Sequence, residues 1–451
     1  MADSTVQARV EALRRLTRRR VAKPLARALS KSSVEDMVVA LAHLTREEAL
    51  FLFDHLEEDA TGGEILAHLS ERDFDRLVPL IHLPRLVAWL DAMEPDDEAD
   101  VLARLPEELR EQVLLRIEPD DRTEVEELMA WPDDSAGGIM SPVAFQVSET
   151  VTCRQAIEIL QELGDVEMVF YIYVTNDNDQ LVGVTSLRNL LTHAPSTQLA
   201  TFMSTDIIAV RPEEDQEEVA RLAARFDFLA VPVVDDGQKM LGIVTIDDVI
   251  DVIREEAAED MLLMAGVGEA LDPLGASATE SARQRIQWLL VTLVAGLALS
   301  EVILAFESTL ARDAAIAGFI PVVMGMGGNV GIQAATITVR NIATGHVSVS
   351  EGMAQLLGRE GRVGVLLGLF FGLLLTAWCL VRYPDWTIAA AVGSSIMLAL
   401  TCAALLGSLI PMTLERLGID PAVATGPFVT TVIDLLAVVV YFVVCRLLFG
   451  L

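Results

Sequence analysis

One carboxylate stands where a carboxylate is expensive. The run TGPFVTTVIDLLAVVVYFVVC, residues 425–445, places Asp434 inside apolar sequence long enough to supply the roughly 20 residues that a membrane-spanning helix needs. A charge at that depth costs about 2.5 to 3.5 kcal/mol even on insertion scales, so it faces a bundle interior, a partner or a water-filled path. The same reasoning singles out PVVMGMGGNVGIQAAT, residues 321–336, where Asn329 and Gln333 put amides into a hydrophobic segment. Its glycines permit close helix approach or a locally opened backbone. Close packing alone accounts for the glycines and leaves the two amides to line a wet path or to bond across helices.

A second constellation is acidic. In IDDVIDVIREEAAEDMLLMAGVGEA, residues 246–270, helical spacing brings Asp248, Asp251, Glu255 and Glu259 near one stripe, so like charges meet at i, i+3 and i+4. Such a helix is either a solvated linker or is held in place by divalent cations shared with other acidic surfaces.

The charge balance favours cations as partners. The chain carries a net charge of -33, and all of it lies in the first 282 residues, because residues 283–451 hold nine acids and nine arginines. Residues 32–282 hold 55 acids against 15 bases. A block of that density repels nucleic acid and anionic lipid. The first 31 residues are the exception, with nine Lys and Arg against Asp3 and Glu11. They read as an amphipathic basic helix on anionic lipid or on the protein's own acidic surface, with a solvated tail as the alternative. No apolar core with a cleavage site opens the chain, so no secretory leader is expected.

Other chemistry-bearing residue types lack a pattern. Cys153, Cys379, Cys402 and Cys445 show no CxxC spacing, and His43, His55, His68 and His82 show no HExxH. Packing and surface roles are expected for both sets. No GxxxxGK[ST] or GxSxG motif is present, so no enzyme is expected.

Three kinds of element must position these residues. Residues 33–131 repeat short helical units such as LTREEALFLFDHL and LSERDFDRLVPLI, each opening on a cap-like Ser, Thr or Pro-Asp-Asp. Units this short bury their faces only by stacking into a superhelix. From residue 136 two copies of a mixed unit follow, with Gly183 and Gly242, Val174 and Val233, and Asn189 and Asp248 each 59 residues apart. That repeat predicts two α/β units packed sheet to sheet around a cleft. Five apolar runs close the chain, at 286–306, 314–339, 363–381, 387–411 and 427–449. Arg283, Arg285, Arg340, Arg359 and Arg362 flank one side and Arg312 and Arg382 the other, which predicts a cytoplasmic N-terminus and a C-terminus outside, in the inner (plasma) membrane.

The copies, through VPVVDDGQKMLGIVTIDDVI, resemble a tandem pair of CBS domains. Together with P-x6-GNxGxQ at 321–333, GPFVTTVID at 426–434 and the acidic helical N-domain, they resemble the MgtE family of magnesium channels over nearly the whole chain. The resemblance implies a homodimer with five transmembrane helices per subunit and an inter-subunit pore past Asp434, Asn329, Gln333, Gly426 and Pro427. It implies a domain order of basic arm 1–31, acidic N-domain 32–135, CBS pair 136–253, plug helix 254–275 and transmembrane domain 283–451. It further implies that Mg2+ is both substrate and regulator. The implied sensor ligands are Glu64, Asp96, Asp100, Asp215, Glu217, Asp227, Asp248, Asp251, Glu256, Glu259, Asp260 and, before the last span, Asp420. ATP is implied as a further regulator at Tyr171, Arg188 and Phe228, although Asn189 stands where the family's Thr-x-x-Asp element has its carboxylate. Transport of another divalent ion such as Co2+, or export, is the rival function.

Overall fold

The structure is a computed structural model and describes residues 2–117, 119–163, 169–267, 278–343, 353–383, 385–424 and 426–450. The chain divides into two compact units, Met1–Arg254 and Glu255–Leu451.

The first unit begins with α1 (Ala2–Arg18) and α2 (Ala22–Leu29), followed by α3 (Val34–Leu41), α4 (Arg46–Phe53), α5 (Asp59–Ala67), α6 (Glu71–Leu77), α7 (Leu83–Leu90), α8 (Pro95–Arg104), α9 (Glu107–Leu114) and α10 (Pro119–Leu128). The cap residues act as their types dictate. Ser33 with Asp36 and Thr45 with Glu48 form reciprocal capping boxes, and Pro95 opens α8 in its first turn, where its missing N–H costs nothing. Arginines then stitch together helices that lie three apart in the chain, α6 to α3 and α8 to α5. Arg76 donates to the carbonyls of Leu41 and Leu44, and Arg104 to those of Ala67 and Leu69, which satisfies helix-end acceptors that short helices leave open.

The basic arm is part of this domain. Val10, Leu13, Leu25 and Leu29 are buried in the same core as Leu41, Leu52 and Trp89. Arg9 pairs with Asp36 at 2.8 Å, Arg20 with Glu47 at 2.9 Å and Arg18 with Glu48 at 3.6 Å. The arm therefore lies on the protein's own acidic surface, and the solvated tail is excluded.

After the helices come β1 (Gln146–Ser148), α11 (Cys153–Leu163), β2 (Tyr171–Thr175), β3 (Leu181–Ser186), α12 (Leu187–Thr192), α13 (Gln216–Phe226), β4 (Ala230–Val234), β5 (Met240–Thr245) and α14 (Ile246–Met264). β2 and β3 are antiparallel with β1 parallel to β2, and β4 pairs antiparallel with β5. In the sheets Val174 faces Gly183 and Val233 faces Gly242, so the 59-residue repeat is a structural one. Tyr173, Leu181, Ala230, Val234, Met240 and Ile243 form one core shared by both copies. The helical core continues without a break into the second copy through Ala136, Met140, Val231 and Val249, which fixes α8 and the start of α14 in one body.

The second unit holds α15 (Ala278–Ala305), the short α16 (Glu307–Leu310), α17 (Ala314–Ala343), α18 (Met353–Arg382), α19 (Trp386–Arg416) and α20 (Pro427–Phe449). Five of these are long and apolar enough to cross a membrane; they contain the runs read from sequence to within a residue, and α18 begins ten residues before its run. α19 is central. Gly364, Gly368 and Gly372 line one face of α18 against it, and a side-chain carbon at Gly368 would come within 2.5 Å of the Met397 carbonyl. With no hydrophobic drive between helices in lipid, such small-residue contact is what packs them. The Gly-rich segment of α17 is not an interruption. The helix continues through residues 325–331 with Pro321 inside it, so the glycines serve close approach rather than an opened backbone.

Candidate functional site

Asp434 lies about two turns into α20, half-buried, opposite the glycines of α17. A carbon added at Gly328 would sit 3.2 Å from the Asp434 carboxylate, and one at Gly327 3.2 Å from the Ala437 methyl. Gly331 receives the Ile433 side chain, and Gly407 of α19 meets the Gly331 carbonyl. The sequence GMGGNVG thus lets three helices close around the carboxylate. Asn329 and Gln333, one helical turn apart, are both exposed in the single chain, on a stripe shared with Pro321 and Gly325. A polar stripe left uncovered between apolar faces needs a partner or water inside a membrane.

Gly426 is the N-cap of α20, with Pro427 at the first helical position. The Gly426 carbonyl accepts from the Thr430 hydroxyl at 3.4 Å. Gly426 is also where the acidic helix ends. A side-chain carbon there would lie 3.1 Å from the Leu263 carbonyl and 3.3 Å from that of Met264, so the last turn of α14 rests on the mouth of α20. The turn that follows places Gly266 at φ 69°, a conformation glycine adopts freely. The rest of the expected plug segment, residues 268–275, lies outside the described residues. Asp420 is exposed and caps the turn before α20 by accepting from the Ala422 N–H at 2.7 Å.

In the first unit the structure brings Asp96, Asp100 and Asp248 together. Asp96 is only 8% exposed, and its Oδ1 is buried without a hydrogen-bond partner. Burial and then the charge of Asp248 push the Asp96 carboxyl up to about 7. Asp100 rises to about 7 as well, by loss of water and then by Asp97, Asp133 and Asp248, with Arg104 opposing. Its open edge to solvent screens part of that repulsion. Asp248 rises to about 6, first by burial. The Thr245 hydroxyl lies 2.5 Å from both Asp247 and Asp248, and one hydroxyl proton cannot serve two carboxylates. Crowded carboxylates of this kind gain from a proton or a cation. Asp247, of the acidic helix, belongs to this cluster, as do Asp97 and Asp133, which were not singled out from sequence. The Pro-Asp-Asp-Glu opening of α8 was the available signal.

Other expected ligands are placed apart. Asp215 caps α13 by accepting from the Glu217 N–H, and Asp227 ends the same helix in the left-handed region. About 11 residues at 1.5 Å each separate the two ends, so Asp227 shares no ion with Asp215 and Glu217 in one chain. Glu217 also pairs with Arg221. Glu64 is exposed on α5, and α5 packs against α8. Asp251 pairs with Arg254 at 3.1 Å, while Glu256, Glu259 and Asp260 continue along α14. Among the described residues no three of His, Cys, Asp and Glu meet as a preformed metal cage. Mg2+ is the ion for which this is no obstacle, since it keeps several waters and is held by one or two carboxylates.

Tyr171 lies opposite Ser186 in the sheet, and Arg188 and Asn189, in the first turn of α12, are exposed. Phe228 stacks on Phe226 at 5.5 Å just before β4. His55 and His68 contact the carbonyls of Phe51 and Glu64 through Nδ1, ordinary helix-surface roles.

Comparison with known proteins agrees across both units. A family model described as a divalent cation transporter matches residues 320–444, the MgtE intracellular N domain matches 32–134, and CBS domains match 136–196 and 199–255. The magnesium transporter MgtE of Thermus thermophilus is 34% identical over 450 residues, covering 95% of this chain and 98% of its own. The MgtE of Bacillus subtilis is 35% identical over 375 residues, covering 82% of each. A crystal structure of the cytosolic domain of the Mg2+ channel MgtE in complex with ATP superposes with a TM-score of 0.52 at 33% identity, covering 54% of this chain and 99% of that one.

Proposed function

The chain belongs to the MgtE family of magnesium transporters, which are membrane proteins and not enzymes, and from that premise we propose that it imports Mg2+ as a homodimer and closes when cytosolic Mg2+ fills its acidic cluster. The observation that carries the pathway is Asp434, a carboxylate inside an apolar span, packed against Gly328, where an added side-chain carbon would lie 3.2 Å from it. A pore for a strongly hydrated ion needs few charges and several weak oxygen donors, because a full cage binds too tightly to conduct. One Asp434 per subunit, the amides Asn329 and Gln333 and backbone oxygens near Gly426 and Pro427 supply that. The uncovered stripe of Asn329 and Gln333 supports a pore between two copies.

Closure follows from charge. Without cations, Asp96, Asp100 and Asp248 repel one another and strain the packing of the helical domain on the CBS pair. Hydrated Mg2+ bridging them, with further ions at Glu64, Asp215, Glu217, Asp227, Asp251, Glu256, Glu259, Asp260 and Asp420, removes that strain and fixes α14, whose last turn rests on Gly426. Several weak sites acting on one two-state element give a steep response. ATP at Tyr171, Arg188 and Phe228 is a further regulator in this reading, with Asn189 offering a neutral acceptor to the ribose. The arginine asymmetry of the loops supports a cytoplasmic N-terminus and an extracytoplasmic C-terminus.

The test is ion flux in proteoliposomes, with Mg2+ varied on the side of the first unit and Co2+, Mn2+ and Ca2+ as competitors. Inward Mg2+ flux that shuts off at low-millimolar Mg2+ on that side is expected. A preference for Co2+, flux only outward, or closure by monovalent salt at matched ionic strength overturns the reading.

A further inference from the structure

The basic arm lies outside the segments that the family models match, which begin at residue 32, and its folded form leaves a surface unexplained. Arg9, Arg18 and Arg20 reach Asp36, Glu48 and Glu47. Arg15, Arg19, Lys23, Arg27 and Lys31, spaced every four residues, are exposed and have no ion pair among the described residues. On α1 a groove of about 600 Å³ is lined by the short Ala8 and Ala12 and by Arg14, Arg15, Arg18 and Arg19, with Glu11 the one acid among the described lining residues. The Arg14 Nε is shielded from solvent and makes no hydrogen bond, a donor directed at no protein acceptor.

We propose that this outward basic face of α1 and α2 docks on the anionic phospholipid headgroups of the membrane that holds the chain's own spans. Charge complementarity selects that partner. Residues 32–282 carry 55 acids against 15 bases and are repelled by an anionic surface, so the arm is the one region of the first unit that such a surface attracts. Guanidinium groups in pairs suit phosphate oxygens, and the short Ala8 and Ala12 leave room for a headgroup between them. Because screening removes attraction beyond about 8 Å at physiological salt, the arm must touch the surface to gain from it, and the acids elsewhere do not cancel its charge. The inference rests on the chain being a membrane transporter and not on which ion it carries.

The experiment is arginine footprinting with phenylglyoxal on the full chain in nanodiscs, read by mass spectrometry. Discs of neutral phosphatidylcholine are compared with discs containing anionic phosphatidylglycerol, with Arg122 and Arg188 as internal references. A basic residue near an anionic surface gains about fivefold in partition, so Arg15 and Arg19 should react about fivefold more slowly in the anionic discs, and 0.5 M KCl should abolish the difference. Equal rates in both discs overturn the proposal, and so does equal protection in both, which marks a contact with a second copy. Protection in neutral discs by inorganic phosphate alone, with no lipid effect, also overturns it in favour of a free-anion site.

Discussion

Replacing Asp96 by Asn should stabilise the first unit when divalent ions are absent, the opposite of what loss of a buried polar residue usually does. Asp96 is 8% exposed, and its folded-state pKa is about 7 against an ordinary 3.8. The folded chain therefore holds a proton that the unfolded chain has released, and stability falls as pH rises from about 4 to about 7 and stays low above that. About three units at 1.36 kcal/mol each set an upper bound of about 4 kcal/mol. For a unit of this size that bound corresponds to roughly 8 to 16 °C in melting temperature. The assay is the melting transition of the first unit in the detergent-solubilised full chain at pH 5.5 and pH 8, in EDTA or in 10 mM Mg2+. Wild type should lose stability between the two pH values in EDTA and recover most of it in Mg2+ but not in NaCl of equal ionic strength. Asp96→Asn should melt higher than wild type at pH 8 in EDTA, depend less on pH and gain less from Mg2+. If it melts at or below wild type there, Asp96 is not a strained carboxylate and the electrostatic account of closure fails.

Three further outcomes follow from the geometry. Gly407→Ala, whose new methyl would meet the Gly331 carbonyl at 2.4 Å, should destabilise the spans by about 1 to 3 kcal/mol. Gly296→Ala, with nothing within 4 Å, should not, as thermal denaturation in detergent will show. Gly426→Ala meets the last two carbonyls of α14 at 3.1 and 3.3 Å, so the last turn must shift by a few tenths of an ångström. Closure should then need more Mg2+, on the order of a few-fold, in a flux titration. ATP at millimolar concentration should raise the melting temperature of the first unit by mass action. Arg188→Ala should remove that shift, and no shift in wild type would mean that Asn189 has broken the site.

Much of the architecture was legible because it rests on periodicity. The spans, the 59-residue repeat with its glycines opposite valines and the capped helices all follow from spacing alone, and Asp434 stood out because apolar sequence surrounds it. Spatial convergence was less legible. Asp96 and Asp248 are over 150 residues apart, and apart from the family resemblance nothing in either stretch announces that α8 and the start of α14 share a core. The glycines of α17 were ambiguous because close packing and a broken helix call for the same residue; the unbroken helix and the positions of Ile433 and Asp434 decide between them. Asp215 and Asp227 both read as ligands, and only the structure shows that they stand at opposite ends of one helix. The arm looked separable because its charge is opposite to all that follows, while its buried Val10, Leu13, Leu25 and Leu29 make it part of the helical core.

The central claim is that Mg2+ crosses the membrane past Asp434. The most direct measurement is Mg2+ uptake into proteoliposomes by wild type and Asp434→Asn at matched protein density, with the oligomeric state of both followed in parallel. Asn keeps the shape and removes the charge, so a carboxylate in the ion's path predicts that uptake is lost while assembly and melting are unchanged. Uptake by Asp434→Asn at the wild-type rate would contradict the account.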